Sequence, residues 1–392
     1  MLYLYNDPQG EKSMKKVILI PDSFKGTMSS SEICAQMKGV ILSHYPDCQV
    51  VSIPVADGGE GSVDAFLDAL GGEKIYKEVM GPYPGEKVNG YYGILPDGTA
   101  VIEMAAAAAL PMVGDRKDPS KTTTYGVGEL MLDAADHGVK KMIVGLGVSA
   151  TNDAACGLAA AVGVTFLDKD GKSFIPVGGT MDLVDKIDLS TMDERIRSLE
   201  IVTMCDIDNP FYGPEGAPAV YGPQKGADEA MVKSLDEKMR KLAEVMLRDT
   251  GADVQAIPGS GAAGGMGGGM VSFFRSTLQM GIETVLDTVH FDELLDGADC
   301  VFTGEGKIDG QSLRGKVVIG VARKAKQKNV PVIAVVGDIG DNVEGAYREG
   351  VTGIFSINRV AVPYKEARPR AKNDLALTVD NILRFLKGFC RA

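Results

Sequence analysis

"KVILIPDSFKG", Lys16–Gly26, leaves an apolar run and enters at once an acid, a hydroxyl, an aromatic ring, a base and a glycine. Val17–Ile20 is a continuous aliphatic stretch between a lysine and a proline, the form of a short strand covered on both faces. In open parallel sheets a ligand is met in the crevice beyond the carboxyl ends of the strands. Asp22, Ser23, Lys25 and Gly26 therefore fall where a ligand would be held, and Gly26 lets the backbone pass close. The plainer alternative is a solvated turn ahead of a helix capped by Ser29 or Ser30.

Outward from that stretch, short apolar runs alternate with segments of helical period. "SSSEICAQMKGVILSHY" (29–45) is an amphipathic helix, "QVVSIPV" (49–55) a strand, and "GSVDAFLDAL" (61–70) a helix closed by Gly71 and Gly72. The far end repeats the alternation in "ADCVFTG" (298–304), "KVVIGVARKAKQK" (316–328), "VPVIAVVGD" (330–338), "VEGAYREG" (343–350) and "VTGIFSI" (351–357), with "NDLALTVDNILRFLKGF" (373–389) as a closing helix. Between them lie Gly-Pro turns, a hairpin-like "YYGILPDGTAVIEMA" (91–105) and several glycine-rich crossings. The expected fold is α/β in two domains: a discontinuous flavodoxin/Rossmann-like parallel-sheet domain of residues 1–76 and 290–392, and an inserted mixed-sheet α/β domain of residues 77–289. A chain of 392 residues suits two or three domains at about 150 residues each.

A formal charge of -12 and a pI near 4.9 argue against nucleic acid and anionic membrane as partners, since both need a positive surface. An anionic substrate would then need a local pocket of Lys, Arg and backbone N–H groups. The six cysteines form no C-x-x-C pair and read as buried thiols of a reducing compartment, so the protein is expected in the cytoplasm. Three histidines leave little for a zinc site or a Ser-His-Asp triad. Met14 opens "MKKVILI" as a chain start would, so the 13 residues before it read as an extension or an alternative start.

Polar residues cluster after the apolar runs. "ADGGEG" (56–61) carries Asp57 and Glu60, "TGEGKIDG" (303–310) carries Glu305, Lys307 and Asp309, and "TMCDIDNP" (203–210) carries Asp206 and Asp208. So many carboxylates need a shared cation, which Lys25, Lys307 and Arg314 would supply in part and nucleotide-borne Mg²⁺ in part. Asp206 and Asp208, two apart, point to one face of an extended segment, although turn and cap roles before Asn209-Pro210 are an alternative. "GSGAAG" (259–264) fits a dinucleotide fingerprint but lacks the strand and helix context, and "GQSLRGKV" (310–317) is a P-loop with Val317 where a hydroxyl must hold Mg²⁺. Both remain possible anion cradles, Gly261 and Gly264 among them. "GLGVSATNDAACGLAAAVG" (145–163) sets Ser149, Thr151, Asn152 and Asp153 ahead of a small-residue helix, where they would suit a phosphate or would simply cap the helix.

Together "PDSFKG", "PVADGGEGSVDA", "GVSATNDAACG", "CDIDNPFYGPEGAPAVYGPQKGA", "PGSGAAGGMGGG" and "TGEGKIDGQSLRGK" closely resemble the bacterial class I glycerate kinase (glycerate 2-kinase) family over nearly the whole chain. The resemblance implies a flavodoxin-like domain with an inserted domain, an active site in the cleft between them, and ATP-dependent phosphorylation of D-glycerate to 2-phosphoglycerate with Mg²⁺. On that footing Ser23, Lys25, Arg314 and Asp309 are expected to bind glycerate, and Asp57 or Asp208 to accept the hydroxyl proton. Lys307, Lys225, Ser149, Thr151, Asn152, Asp153 and the Gly261 and Gly264 backbone would meet the nucleotide phosphates, and Asp206 and Glu305 the metal. The chain departs from the family pattern where Val148, Ala154 and Ala155 replace glycines, so those positions are not expected to touch ligand. A nicotinamide-dependent 2-hydroxy-acid oxidoreductase would use "GSGAAG" but has no evident histidine base. A non-catalytic small-anion sensor would not need the carboxylates. Either monomer or homodimer fits the sequence.

Overall fold

The computed structural model describes residues 5–6, 12–55, 58–310 and 312–389, apart from the side chains of residues 5, 6, 12, 13, 314 and 389. Asp57 thus lies outside the described residues, as does the Arg314 side chain. Of the leading 13 residues only Tyr5–Asn6 and Lys12–Ser13 are described, as an antiparallel pair. The reading of that segment as an extension otherwise lies outside the described residues.

The principal strands, numbered along the chain, are β1 (Lys16–Pro21), β2 (Gln49–Ser52), β3 (Glu73–Met80), β4 (Lys87–Ile94), β5 (Thr99–Glu103) and β6 (Lys141–Gly145). They continue with β7 (Glu200–Met204), β8 (Thr277–Gln279), β9 (Cys300–Gly304), β10 (Val332–Val336) and β11 (Val351–Ser356). The helices used below are α1 (Ser30–His44), α2 (Ser62–Leu70), α3 (Tyr125–Asp136), α4 (Cys156–Ala161), α5 (Glu229–Thr250), α6 (Ala262–Phe274), α7 (Val317–Gln327) and α8 (Ala371–Phe389). The chain divides into two compact units, Met1–Ala56 with Ile282–Ala392, and Asp57–Gly281.

The first unit is built on a five-stranded sheet in the order β11-β10-β9-β1-β2, parallel throughout. Counted among the unit's own strands the order is 2-1-3-4-5, the flavodoxin arrangement, whose switch point lies between β1 and β9. Val17–Ile20 of β1 and Val332, Ala334, Val335 and Val336 of β10 are wholly or almost wholly buried, which is why these runs carry no polar alternation. Ile33, Met37 and Ile41 of α1 join Leu375, Val379 and Leu383 of α8 in one core with Val17, Leu19 and Phe302. Helix α1 starts at a capping box: Ser29 accepts from the Glu32 N–H, and the Glu32 carboxylate accepts the Ser29 N–H. Buried Ser30 then donates from Oγ to the Pro21 carbonyl at 2.6 Å and accepts the Val55 N–H at 2.9 Å, tying the end of β1 to the chain beyond β2.

The second unit carries a mixed six-stranded sheet in the order β8-β7-β6-β5-β4-β3. Strands β5 to β8 run parallel, and β3 and β4 are antiparallel additions. The β4–β5 hairpin is the one read from residues 91–105, turned at Gly98 with φ +86°. Glu103, Gly145 and Met204 sit in register at the carboxyl ends of β5, β6 and β7. The units divide at Ala56/Asp57 and Gly281/Ile282, where the sequence reading had placed the lines after Tyr76 and before His290. Residues 57–76 go with the second unit because β3 pairs with β4 along its whole length, Glu73 with Ile94 through Met80 with Lys87. Helix α2 packs there too: a Cβ on Gly93 would stand 3.2 Å from Val63 and 3.3 Å from Leu67. Gly71 and Gly72 stop α2 as expected, but a strand follows without a change of unit.

Candidate active site

At the switch point of the first unit, the loops after β1 and β9 are joined by a hydrogen bond of 2.8 Å from the Asp22 N–H to the Gly304 carbonyl. Phe24 is buried and bridges to Met28, so the PDSFKG loop is a folded turn, with Ser23 half-buried and Lys25 exposed. Gly306 passes close to this turn: a Cβ on it would stand 3.8 Å from the Lys25 nitrogen and from Phe24 Cα. The loop after β10 completes the group, because Gly337 donates to the Glu305 carbonyl and Asp338 to the Gly306 carbonyl. Ser356, at the end of β11, donates to the Gly337 carbonyl at 3.0 Å. PDSFKG, TGEGKIDG, the Gly337–Asp338 turn and Ser356 thus meet at one edge, while Asp57–Gly61 of ADGGEG belong to the other unit.

Glu305 is almost completely buried, and its Oε1 has no hydrogen-bond partner among the described residues. Burial is the largest influence on its carboxyl, pushing it from 4.5 up to about 7, opposed by a Ser312 hydrogen bond and the Lys316 charge and reinforced by Asp22 and Asp309. Lys307 is exposed, and its Nζ stands 3.9 Å from Asp309 Oδ2. The Asp309 N–H donates to Ser312 Oγ. The "GQSLRGKV" segment forms the turn Ser312–Arg314 followed by α7, so a helix does begin at Val317, with Lys316 exposed before it.

In the second unit the structure brings together Ser149, Thr151, Asn152, Asp153, Lys225, Gly261 and Gly264, yet it closes them away from solvent. Lys225 is 2% exposed and donates from Nζ to Ser149 Oγ at 2.6 Å and to the Thr151 carbonyl at 2.7 Å. Burial draws its ammonium from 10.5 down to about 7, against the pull of Asp153. Asp153, fully buried, accepts from the Thr124 N–H and hydroxyl through Oδ2, and burial pushes its carboxyl up. The same oxygen accepts the Gly157 N–H in the first turn of α4, which starts at Cys156 with Ala155, and neither Thr151 nor Asn152, at its cap position. Thr151 Oγ1, Asn152 Oδ1, Asp153 Oδ1 and Ser260 Oγ have no partner among the described residues. Gly261 and Gly264 face protein backbone: a Cβ would lie 2.2 Å from the Pro210 carbonyl oxygen at the first and 2.1 Å from that of Thr151 at the second. Their lack of a side chain therefore serves packing. Ala263, Gly264 and Gly265 take left-handed φ of 53°, 71° and 88°, breaking the start of α6.

The three positions that depart from the glycine pattern share that conformation, with φ of 61° at Val148, 52° at Ala154 and 61° at Ala155. Ala154 and Ala155 are fully buried, whereas Val148 is 44% exposed beside Ser149. Asp206 and Asp208 are both exposed beyond β7, and Asp206 Oδ1 accepts the Gly281 N–H at 2.7 Å. Among the described residues no group of three or more His, Cys, Asp and Glu side chains is placed to hold a metal ion.

Sequence reasoning missed Glu103 and Ser312. Glu103 is wholly buried at the end of β5, accepting the Gly61 and Val63 N–H groups and the Tyr91 hydroxyl. Its signal was a single charge inside the apolar run "TAVIEMAAAAAL". No helix among the described residues is long and apolar enough to cross a membrane.

The family model described as "Glycerate kinase family" matches residues 17–387. The chain is 42% identical over 369 residues to a glycerate kinase of Bacillus cereus, covering 94% of this chain and 97% of that protein. It is 42% identical over 344 residues to the glycerate 2-kinase of Escherichia coli K12, covering 87% of this chain and 90% of that one. A crystal structure provisionally described as glycerate kinase 2 of Salmonella typhimurium LT2 superposes with a TM-score of 0.86 at 38% identity, covering 97% of this chain and 100% of that one.

Proposed function

Because the chain belongs to the glycerate kinase family, we propose that it transfers the γ-phosphoryl group of ATP to D-glycerate and that 2-phosphoglycerate is the product. The observation that carries this reading is the meeting of the β1 and β9 loops at the flavodoxin switch point, with a buried carboxyl set near neutrality between them. The name of the E. coli relative supports the 2-position. We take the two units as the functional domains, and the five free thiols among the described residues support a reducing, cytoplasmic setting.

Phosphoryl transfer asks the protein for position and charge neutralisation more than for covalent work. Ser23, Lys25, Asp309 and Arg314 hold the carboxylate and hydroxyls of glycerate. The attacking hydroxyl oxygen bonds to the γ-phosphorus, the bond to the bridging oxygen breaks, ADP leaves, and the hydroxyl proton passes to a carboxylate. Glu305 suits that last task, since a base works best when its pKa lies near the operating pH. Asp57 and Asp208, the carboxylates first expected there, are tested beside it below. Exposed Lys307 meets the phosphates, while Lys225 holds the Ser149–Thr151 segment from beneath. Mg²⁺ would neutralise phosphate charge and would enter with the nucleotide, which needs only one or two carboxylates; Asp206 and Asp208 are the exposed pair.

The test is a reaction with ATP, Mg²⁺ and D-glycerate followed by phosphorus NMR. A 2-phosphoglycerate signal is expected. A 3-phosphoglycerate signal would keep the kinase and overturn the acceptor geometry, and no product would overturn the reading.

A further inference from the structure

We propose that Glu103 is a positioning residue for the phosphoryl-transfer reaction, holding the Gly58–Gly61 turn in place at the carboxyl edge of the second unit's sheet. The proposal rests on the kinase reading above. Glu103 is the last residue of β5, in register with Gly145 on β6, and its carboxylate reaches the turn and the start of α2 together. Oε1 accepts the Val63 N–H at 2.5 Å, and Oε2 accepts the Gly61 N–H at 3.2 Å and the Tyr91 hydroxyl at 3.1 Å. The first turn of a helix has N–H groups with no partner inside the helix. Helix α2 has Gly61 at its cap position and so no side chain of its own to meet them.

The opposite side of the turn is fixed by backbone. The Gly147 N–H donates to the Gly58 carbonyl at 2.9 Å, and a Cβ on Gly147 would fall 2.3 Å from Gly59 Cα. A Cβ on Gly145 would fall 2.4 Å from the Gly58 oxygen. The turn is thus gripped between a carboxylate and the strand end that leads into Val148 and Ser149, and it continues directly from Asp57.

Capping alone does not explain this arrangement. Helices α1 and α5 are capped locally by Ser29 and Asp228, each exposed and adjacent in sequence. At α2 the cap comes from 40 residues away and is wholly buried, where a carboxylate is costly unless its hydrogen bonds are complete. Burial pushes the Glu103 carboxyl up, and the Val63 and Gly61 N–H groups and the Tyr91 hydroxyl draw it back. What the remote cap adds over a serine at position 61 is a fixed distance between the turn and the edge of the sheet.

Glu103→Gln keeps the volume but places an NH₂ against one of two N–H donors, so one bond to the turn is lost. In the full-length protein we expect amide hydrogen exchange across residues 58–63 to rise about tenfold or more while residues 141–145 stay protected. We expect kcat for glycerate phosphorylation to fall by about tenfold or more, with KM for ATP within about threefold, because the loss is one of alignment. A purely structural cap would lower the melting temperature and leave kcat of the folded protein unchanged, and that result overturns the proposal. Unchanged exchange across 58–63 overturns it as well. Should Glu103→Gln not fold, Tyr91→Phe removes one of the three bonds and must move both exchange and kcat in the same direction; no change in either refutes the positioning role. If the wild-type protein phosphorylates nothing, the kinase reading fails by itself, and exchange still decides whether Glu103 holds the turn.

Discussion

Replacing Glu305 by glutamine separates the cost of its burial from its use. Its carboxyl is raised from 4.5 to about 7, and the side chain is 5% exposed, so solvent screens it little. A rise of that size corresponds to about 3 kcal/mol between the two ends of the titration. Between pH 4.5 and about 7 the folded state holds a proton that the unfolded state has released, so this contribution is complete below pH 4.5 and is lost as pH rises through about 7. Glutamine imitates the protonated acid and should match the wild type near pH 4. By pH 8 it should be more stable by up to about 3 kcal/mol, because no buried charge forms. Urea unfolding of both proteins at intervals from pH 4 to 9 reads this directly. A constant difference between them across that range would refute the argument, since it would mean that the carboxyl titrates normally in the fold. The same variant should be about 100-fold slower in turnover or worse, as expected for loss of a proton acceptor.

Lys25→Ala and Asp208→Asn should each lower kcat by about 100-fold or more with little change in melting temperature, being exposed in the fold; near-normal turnover in both would remove them from the site. Asp57→Asn, assayed alongside, should cost less than Glu305→Gln if Glu305 takes the proton. Gly147→Ala should destabilise by about 3 kcal/mol or more in thermal melts, because its Cβ would meet Gly59 Cα at 2.3 Å with no flexible side chain to yield. Gly39→Ala, in the exposed middle of α1 with nothing within 4 Å of the new methyl, should instead stabilise by about 1 kcal/mol.

The parallel sheet was legible because its strands are short, aliphatic and followed at once by polar loops, a pattern that buried β1, β9 and β10 all keep. Ser29 was legible as a cap because its partner Glu32 is three residues away. What the sequence hid depends on distance. Glu103 caps a helix 40 residues earlier, and Lys225 is buried by Ser149 and Thr151 more than 70 residues away, so neither role has a local signature. Gly261 and Gly264 looked like a phosphate cradle because a glycine that admits a ligand and one that admits a carbonyl oxygen are the same letter. Val148, Ala154 and Ala155 stood out as departures from a glycine pattern, and their left-handed φ gives the reason glycine suits those positions. The boundary expected after Tyr76 falls inside β3, whose pairing with β4 runs from Glu73 to Met80.

The ties of Ser30 bear on which molecules the PDSFKG loop will admit. Ser30 Oγ holds the Pro21 carbonyl at one end of the loop and Val55 behind it, while Asp22 is bound to Gly304 at its base. A loop anchored at both ends cannot widen by sliding; it opens only if β1 and α1 part. If the loop holds the acceptor as proposed, acceptors larger than a three-carbon hydroxy acid would meet a frame of fixed width, and discrimination by size would be set when the chain folds and owe little to adjustment on encounter.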